Sequence, residues 1–132
     1  MSGFAKGTIV VGRFGASRAK MRVMRQDGAS TVVRKLDGNG RAYGRPLEVP
    51  TMALALPDEP RYQLFRRNEQ AADDGTVTHR FGGAERTARG LDALRLSADL
   101  FVPLDDRHNY YYAEAPGNGA PGEPQPLSNL YQ

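Results

Sequence analysis

Short runs of alternating apolar and polar residues, cut by Gly and Pro, cover most of this chain. Residues 8–14 are rich in β-branched side chains and are followed by a turn at Gly15, which suits a short strand. In 20–25, Met21 and Val23 fall on one face and Lys20 and Arg22 on the other, the pattern of a half-buried strand. Asp27-Gly28 marks a hairpin turn, and 31–36 reads as the next strand. Asp37-Gly38-Asn39-Gly40 then turns the chain, because Gly and Asn both tolerate positive φ. Residues 1–45 therefore read as a three-stranded meander with Arg and Lys on its outer face.

Pro46 and Pro50 bracket an extended connection. The stretch 51–56 lies between Pro50 and Pro57 and is too short for a useful helix. As a strand it places Met52, Leu54 and Leu56 inward. Residues 61–66 and 76–81 pair as a hairpin across a polar loop, 68–75, that ends in Asp73-Asp74-Gly75, and 82–90 is a second polar loop. Segment 91–102 carries two patterns. Leu91, Leu94, Ala98 and Phe101 fit one helical face, whereas Leu94, Leu96, Ala98, Leu100 and Val102 alternate with Arg95, Ser97, Asp99 and Phe101. That alternation runs unbroken to Pro103, and a strand is the favoured expectation.

After Tyr110-Tyr111-Tyr112 the composition shifts to Pro, Gly and polar residues, with Leu127, Leu130 and Tyr131 as late apolar positions. Residues 113–132 read as an extended arm that docks on another subunit rather than on its own core. The expected core is Ile9, Val11, Met21, Val23, Val33, Met52, Leu54, Leu64, Leu94, Leu96 and Leu100. The fold class that follows is all-β: a small barrel or sandwich of about seven short antiparallel strands over 1–112, with the arm appended.

Composition narrows the function more than it names it. The length, 132 residues, suits one domain, and 15 Gly with 9 Pro argue against a helical bundle. Absence of an apolar run near eighteen residues predicts no membrane-spanning helix. Residues 1–6 lack a basic-then-apolar leader, so synthesis in the cytoplasm without a secretory signal is expected. Cys is absent and there are two His, which removes disulfide scaffolds, Cys-based zinc sites, thiol catalysis and multi-histidine metal sites.

The net charge of +3 is unevenly spread. Residues 1–45 carry ten basic groups against two acids, a net of +8, and 46–132 carry eight against thirteen, a net of −5. Fifteen of the eighteen basic residues are Arg, whose planar fork suits phosphate and carboxylate. Arg13, Lys20, Arg22, Arg25 and Arg34 form the candidate basic face. It faces either an anionic partner such as nucleic acid or the acidic part of a neighbouring copy.

Candidate chemistry is sparse. Asp37-Gly38-Asn39-Gly40 lacks the later ligand positions of a calcium loop, and Gly38, Gly40 and Gly44 lack dinucleotide-binding spacing. Asp105-Asp106-Arg107-His108 follows Pro103 and reads as a turn. His79 stands in a strand without a partner in sequence, and Ser17, Ser30 and Ser97 have no nucleophile-elbow context. These readings point away from an enzyme, and neither metal nor organic cofactor is expected.

Two binding roles remain. The first is a structural subunit of a larger particle, such as a phage-type virion cement, connector or tail protein. It would self-associate through complementary charge and through the anchors Leu127, Leu130 and Tyr131, and its location would be the assembled particle. The second role rests on 8–15, Val11-Gly12-Arg13-Phe14-Gly15 included, followed by Met21-Arg22-Val23 and 27–33. This stretch resembles the first strands of bacterial single-stranded-DNA-binding proteins, in which a V-G-x-L-G turn precedes an Arg-containing strand. The resemblance covers 8–36. It implies an OB-like barrel in which Arg13, Lys20, Arg22, Arg25 and Arg34 follow phosphates and Phe14 and Tyr43 stack on bases. The chain has no Trp and ends in Leu130-Tyr131-Gln132, without that family's acidic-aromatic tip.

Overall fold

The computed structural model describes residues 3–15, 17–115 and 122–132. The described chain is mostly β, with ten strands and one α-helix, and it divides into two compact units, 1–59 and 60–132. The expected boundary after Tyr112 is therefore replaced by one at Glu59/Pro60. Met1 and Ser2, and the stretch 116–121 of the expected arm, lie outside the described residues.

The first unit holds β1 (Ile9–Gly12), β2 (Met21–Asp27), β3 (Ser30–Leu36), β4 (Ala42–Pro50) and β5 (Leu54–Ala55). They form an open antiparallel sheet in the order β4-β3-β2-β1-β5. Its end strands, β4 and β5, do not pair, so among the described residues neither a closed barrel nor the OB-like closure implied by the resemblance is present. The meander expected over 1–45 is there and is longer by one strand. β4 was missed because it holds Pro46 and Pro50. It is the edge of the sheet, where a missing N–H is tolerated, and a register irregularity between Val33 and Lys35 takes up the extra residues around Gly44, whose φ is +74°. One core joins Val10, Val23, Val33 and Leu54, with Phe4, Met21, Leu47 and Val49 packed against it. Met52 sits in a 3-10 turn, Thr51–Ala53, and is 62% exposed, so it leaves the expected core.

The second unit holds β6 (Arg61–Ala71), β7 (Val77–Phe81), β8 (Arg86–Arg89), α1 (Leu91–Phe101), β9 (Tyr110–Glu114) and β10 (Gln125–Pro126). The sheet order is β10-β9-β6-β7, with β8 also on β6. The strand expected over 91–102 is a helix. Its buried residues are Ala93, Leu94, Ser97 and Ala98, which recur at helical spacing. Leu100, inward in the strand reading, is 69% exposed. Gly90, at φ +87°, precedes the first turn, and Pro103 follows the last.

The C-terminal stretch overturns the arm expectation. Leu127 is 1% exposed in a core with Leu64, Ala88, Leu94, Ala98 and Tyr110, and Leu130 and Tyr131 pack against that core. β10 pairs with β9 through Gln125–Tyr112 and Pro126–Tyr111. The anchors expected to reach a neighbour therefore complete the core of their own unit. No helix among the described residues is long and apolar enough to cross a membrane.

Candidate functional site

The five residues of the expected basic face fall into different roles. Arg13 follows β1 and clasps its own unit. Its guanidinium donates to Glu59 Oε1 at 2.6 Å and Oε2 at 3.0 Å, and its Nε donates to the Leu54 carbonyl at 3.1 Å. A bidentate pair of this geometry is directional and consumes the fork that would otherwise meet a phosphate. Arg25 lies beyond a bulge between Val23 and Arg25, with its side chain 69% exposed and Asp27 4.0 Å away.

Arg22 and Arg34 are brought together. They are direct cross-strand partners of β2 and β3. Like charges opposite each other are destabilising in a sheet. Each guanidinium is turned onto a backbone carbonyl instead: Arg22 Nη2 donates to Gly40 O at 3.3 Å and Arg34 Nε to Gly44 O at 3.1 Å. Lys20, exposed, stands two residues before Arg22. The aromatic half of the expected platform does not join them. Tyr43, 51% exposed, pairs with Lys35, the neighbour of Arg34 in sequence, and so projects from the opposite face. Phe14 is 38% exposed and lies past the end of β1.

The tail residues are fixed by specific polar contacts. Tyr131 Oη donates to Asp99 Oδ1 at 2.7 Å, and the Arg107 and Arg95 guanidinium carbons lie 4.5 and 4.9 Å from its ring centre. Burial first, and then the Asp99 hydrogen bond, raise the Tyr131 phenol above its ordinary value. A groove of ≈ 480 Å³ beside it is lined by Leu104, Arg107, His108, Tyr110, Leu127 and Tyr131. The polar run at 105–108 lies within a 3-10 turn, Leu104–Asn109. Asp106 there accepts from Arg66 at 2.9 and 3.1 Å and from Asn109 at 2.7 Å, and the Arg66 bond holds its carboxyl below the ordinary range. A second groove, ≈ 450 Å³, lies in the first unit against Phe4, Met52 and Leu54. Among the described residues no three His, Asp or Glu converge as metal ligands.

The hairpin expected between 61–66 and 76–81 forms, but β7 pairs with the 67–71 extension of β6, which sequence reasoning missed, and the two make a ribbon. The inner half of β6, Arg61 to Arg66, is flanked by β8 on one side and β9 on the other. Its outer half, Arg67 to Ala71, pairs with β7 alone. Every residue of β7 is exposed, and Val77 and Phe81 are 52% and 46% exposed. The turn is closed by Ala72 N–H to Thr76 O at 2.8 Å and Gly75 N–H to Ala72 O at 3.0 Å, with Gly75 at φ +88°. Most of the 67–71 extension falls in the polar stretch 68–75, which reads as loop. The available signal is Asp74-Gly75 centred between arms of matching length, the layout of a hairpin with no buried face. Phe81 joins Phe65 and Tyr111 edge to face at 6.4 and 5.2 Å, which ties the base of the ribbon to the sheet. Compared with protein-family models, with curated proteins and with solved structures, the chain finds no match.

Proposed function

We propose that this protein is a non-enzymatic assembly subunit of a larger particle, the phage-type virion component expected from the sequence. In this reading its contact with neighbours runs through the β6–β7 ribbon in place of the C-terminal arm. The observation that carries the reading is the ribbon itself. A two-stranded hairpin without a covering layer is marginal alone in water, and an exposed strand edge is a template for another chain. Sedimentation of the purified protein across a concentration series tests the reading. Growth in mass with concentration supports it, and a monomer throughout overturns it.

A second reading, binding of single-stranded nucleic acid, is favoured by one observation: the Arg22–Arg34 cross-strand pair with Lys20 beside it. The same sedimentation run with a labelled single-stranded oligonucleotide separates the two. Nucleic-acid binding gives co-migration that weakens steeply with salt. Assembly gives a mass that ignores the oligonucleotide.

A further inference from the structure

We infer that the ribbon docks on the ribbon of a second copy, β7 against β7 in antiparallel register about His79, so that two sheets join edge to edge. This rests on the assembly reading and names its partner and its register.

The hydrogen-bond pattern selects the free groups. Ala72 N–H donates to Thr76 O and Gly82 N–H donates to Arg66 O. In an antiparallel ladder the bonded pairs alternate. With 72 facing 76 and 66 facing 82, the backbone groups of Thr76, Thr78, Arg80 and Gly82 point to β6. Those of Val77, His79 and Phe81 point to the open edge. These three residues also share one side-chain face.

A two-fold centred on His79 sets Val77 of one copy opposite Phe81 of the other, His79 opposite His79, and Phe81 opposite Val77. Each of these positions has its N–H and C=O turned outward, so each pair can exchange both bonds. The exposed apolar side chains then cover one another. On the opposite face Arg80 meets Thr78. A shift of one pair that centres the two-fold on Arg80 opposes Arg80 to Arg80, and like charges disfavour it. Glu69 is the β6 partner of His79, 4.0 Å away, and so closes the central row at both ends with carboxylates.

Four other edges among the described strands are poor alternatives. β4 carries Pro46 and Pro50 and is bent by a bulge. β5 and β10 have two residues each, and β10 includes Pro126. The far edge of the outer β6 half, paired with itself about Glu69, would oppose two carboxylates. It is also bordered by the 3-10 turn Leu104–Asn109, whose Asp106 holds Arg66. β7 has neither proline nor lysine, the residues that commonly blunt an edge.

The test uses the full chain, whose lack of cysteine removes background thiols. In His79→Cys the two thiols would stand on residues with Cα atoms ~5.5 Å apart, within disulfide reach. Mild oxidation is expected to give a covalent dimer in high yield, while Thr78→Cys, whose side chain lies off the axis on the other face, gives little. His79→Pro removes an outward N–H without touching the β6 ladder, and is expected to abolish concentration-dependent mass with circular dichroism unchanged. If the wild type associates, yet His79→Pro associates equally and His79→Cys does not cross-link, the β7 edge is the wrong surface while the assembly reading stands. A head-to-tail stack of β6 on β7 gives association without the His79→Cys disulfide, and overturns the two-fold register. A wild type that stays monomeric overturns both readings.

Discussion

Tyr110 lies in the second unit's core and donates its hydroxyl hydrogen to Glu85 Oε1 at 2.9 Å. Burial, reinforced by that bond and by the charge on Glu85, pushes its phenol up to about 12 from 10. A phenol that holds its proton more tightly in the folded state contributes stability that is complete below pH 10 and is lost as pH rises through 12. Tyr110→Phe keeps the ring and removes the titration. From pH 10 upward the wild-type denaturation midpoint should therefore fall more steeply than the variant's. Parallel slopes would show that the phenol ionises alike in both states. Residue identities in the cores were partly legible from period-2 spacing: Val11, Val23, Val33, Leu54, Leu64 and Leu94 are all buried. Met52 and Leu100 failed because their spacing was right for a strand that does not form there. Tyr110 was legible only as one of three consecutive tyrosines, since what buries it is a helix and a tail far from it in sequence.

The helix α1 shows where element reading breaks. Leu94, Leu96, Ala98, Leu100 and Val102 alternate, yet Ala93, Leu94, Ser97 and Ala98 are the buried set. Small residues at Ala93, Ser97 and Ala98 carry little hydrophobic weight in a pattern, so the true face is faint and the alternating Leu residues dominate. Tertiary packing decides: small side chains let the helix lie close on β6 and β8. The two readings make opposite claims about Leu94 and Leu100. A strand buries both. The helix buries Leu94 completely and leaves Leu100 69% exposed. Leu94→Ala should cost about 2–5 kcal/mol in a denaturant titration, and Leu100→Ala should stay within about 0.5 kcal/mol of wild type. Equal losses at the two positions would contradict the helix. Turns were the most legible elements. At Asp37-Gly38-Asn39-Gly40 the Asp37 carboxylate accepts from the Asn39 and Arg41 N–H groups at 2.9 Å, and Gly40 takes φ +80°. That chemistry is local, and so a sequence reveals it.

At the scale of the whole molecule, division into two units changes what the charge and the tail mean. The split at Glu59/Pro60 assigns Glu48, Asp58 and Glu59 to the basic part, so the units carry ten basic groups against five acids, net +5, and eight against ten, net −2. The sharper polarity read along the chain came from where the count was cut. The tail changes more. Composition alone marks 113–132 as an arm, because Pro and Gly suppress periodicity. Three residues late in it close the second core, and no local pattern states which core a late leucine enters. Deletion of 122–132 separates the two accounts. An arm predicts an intact fold. The buried Leu127, in contact with the Leu64 and Leu94 cluster, predicts a loss of about 2–5 kcal/mol from that side chain alone, before the β10 bonds and the Tyr131–Asp99 bond are counted. A unit this small has about that much stability in total, so it should unfold. The first unit has its own core of Val10, Val23, Val33 and Leu54 and should not. Amide exchange resolves the outcome by residue: Leu64 and Leu94 should lose protection in the truncated chain while Val23 and Val33 keep theirs. If Leu64 stays protected, the tail is peripheral to its unit. If Val23 loses protection together with Leu64, the two units unfold as one.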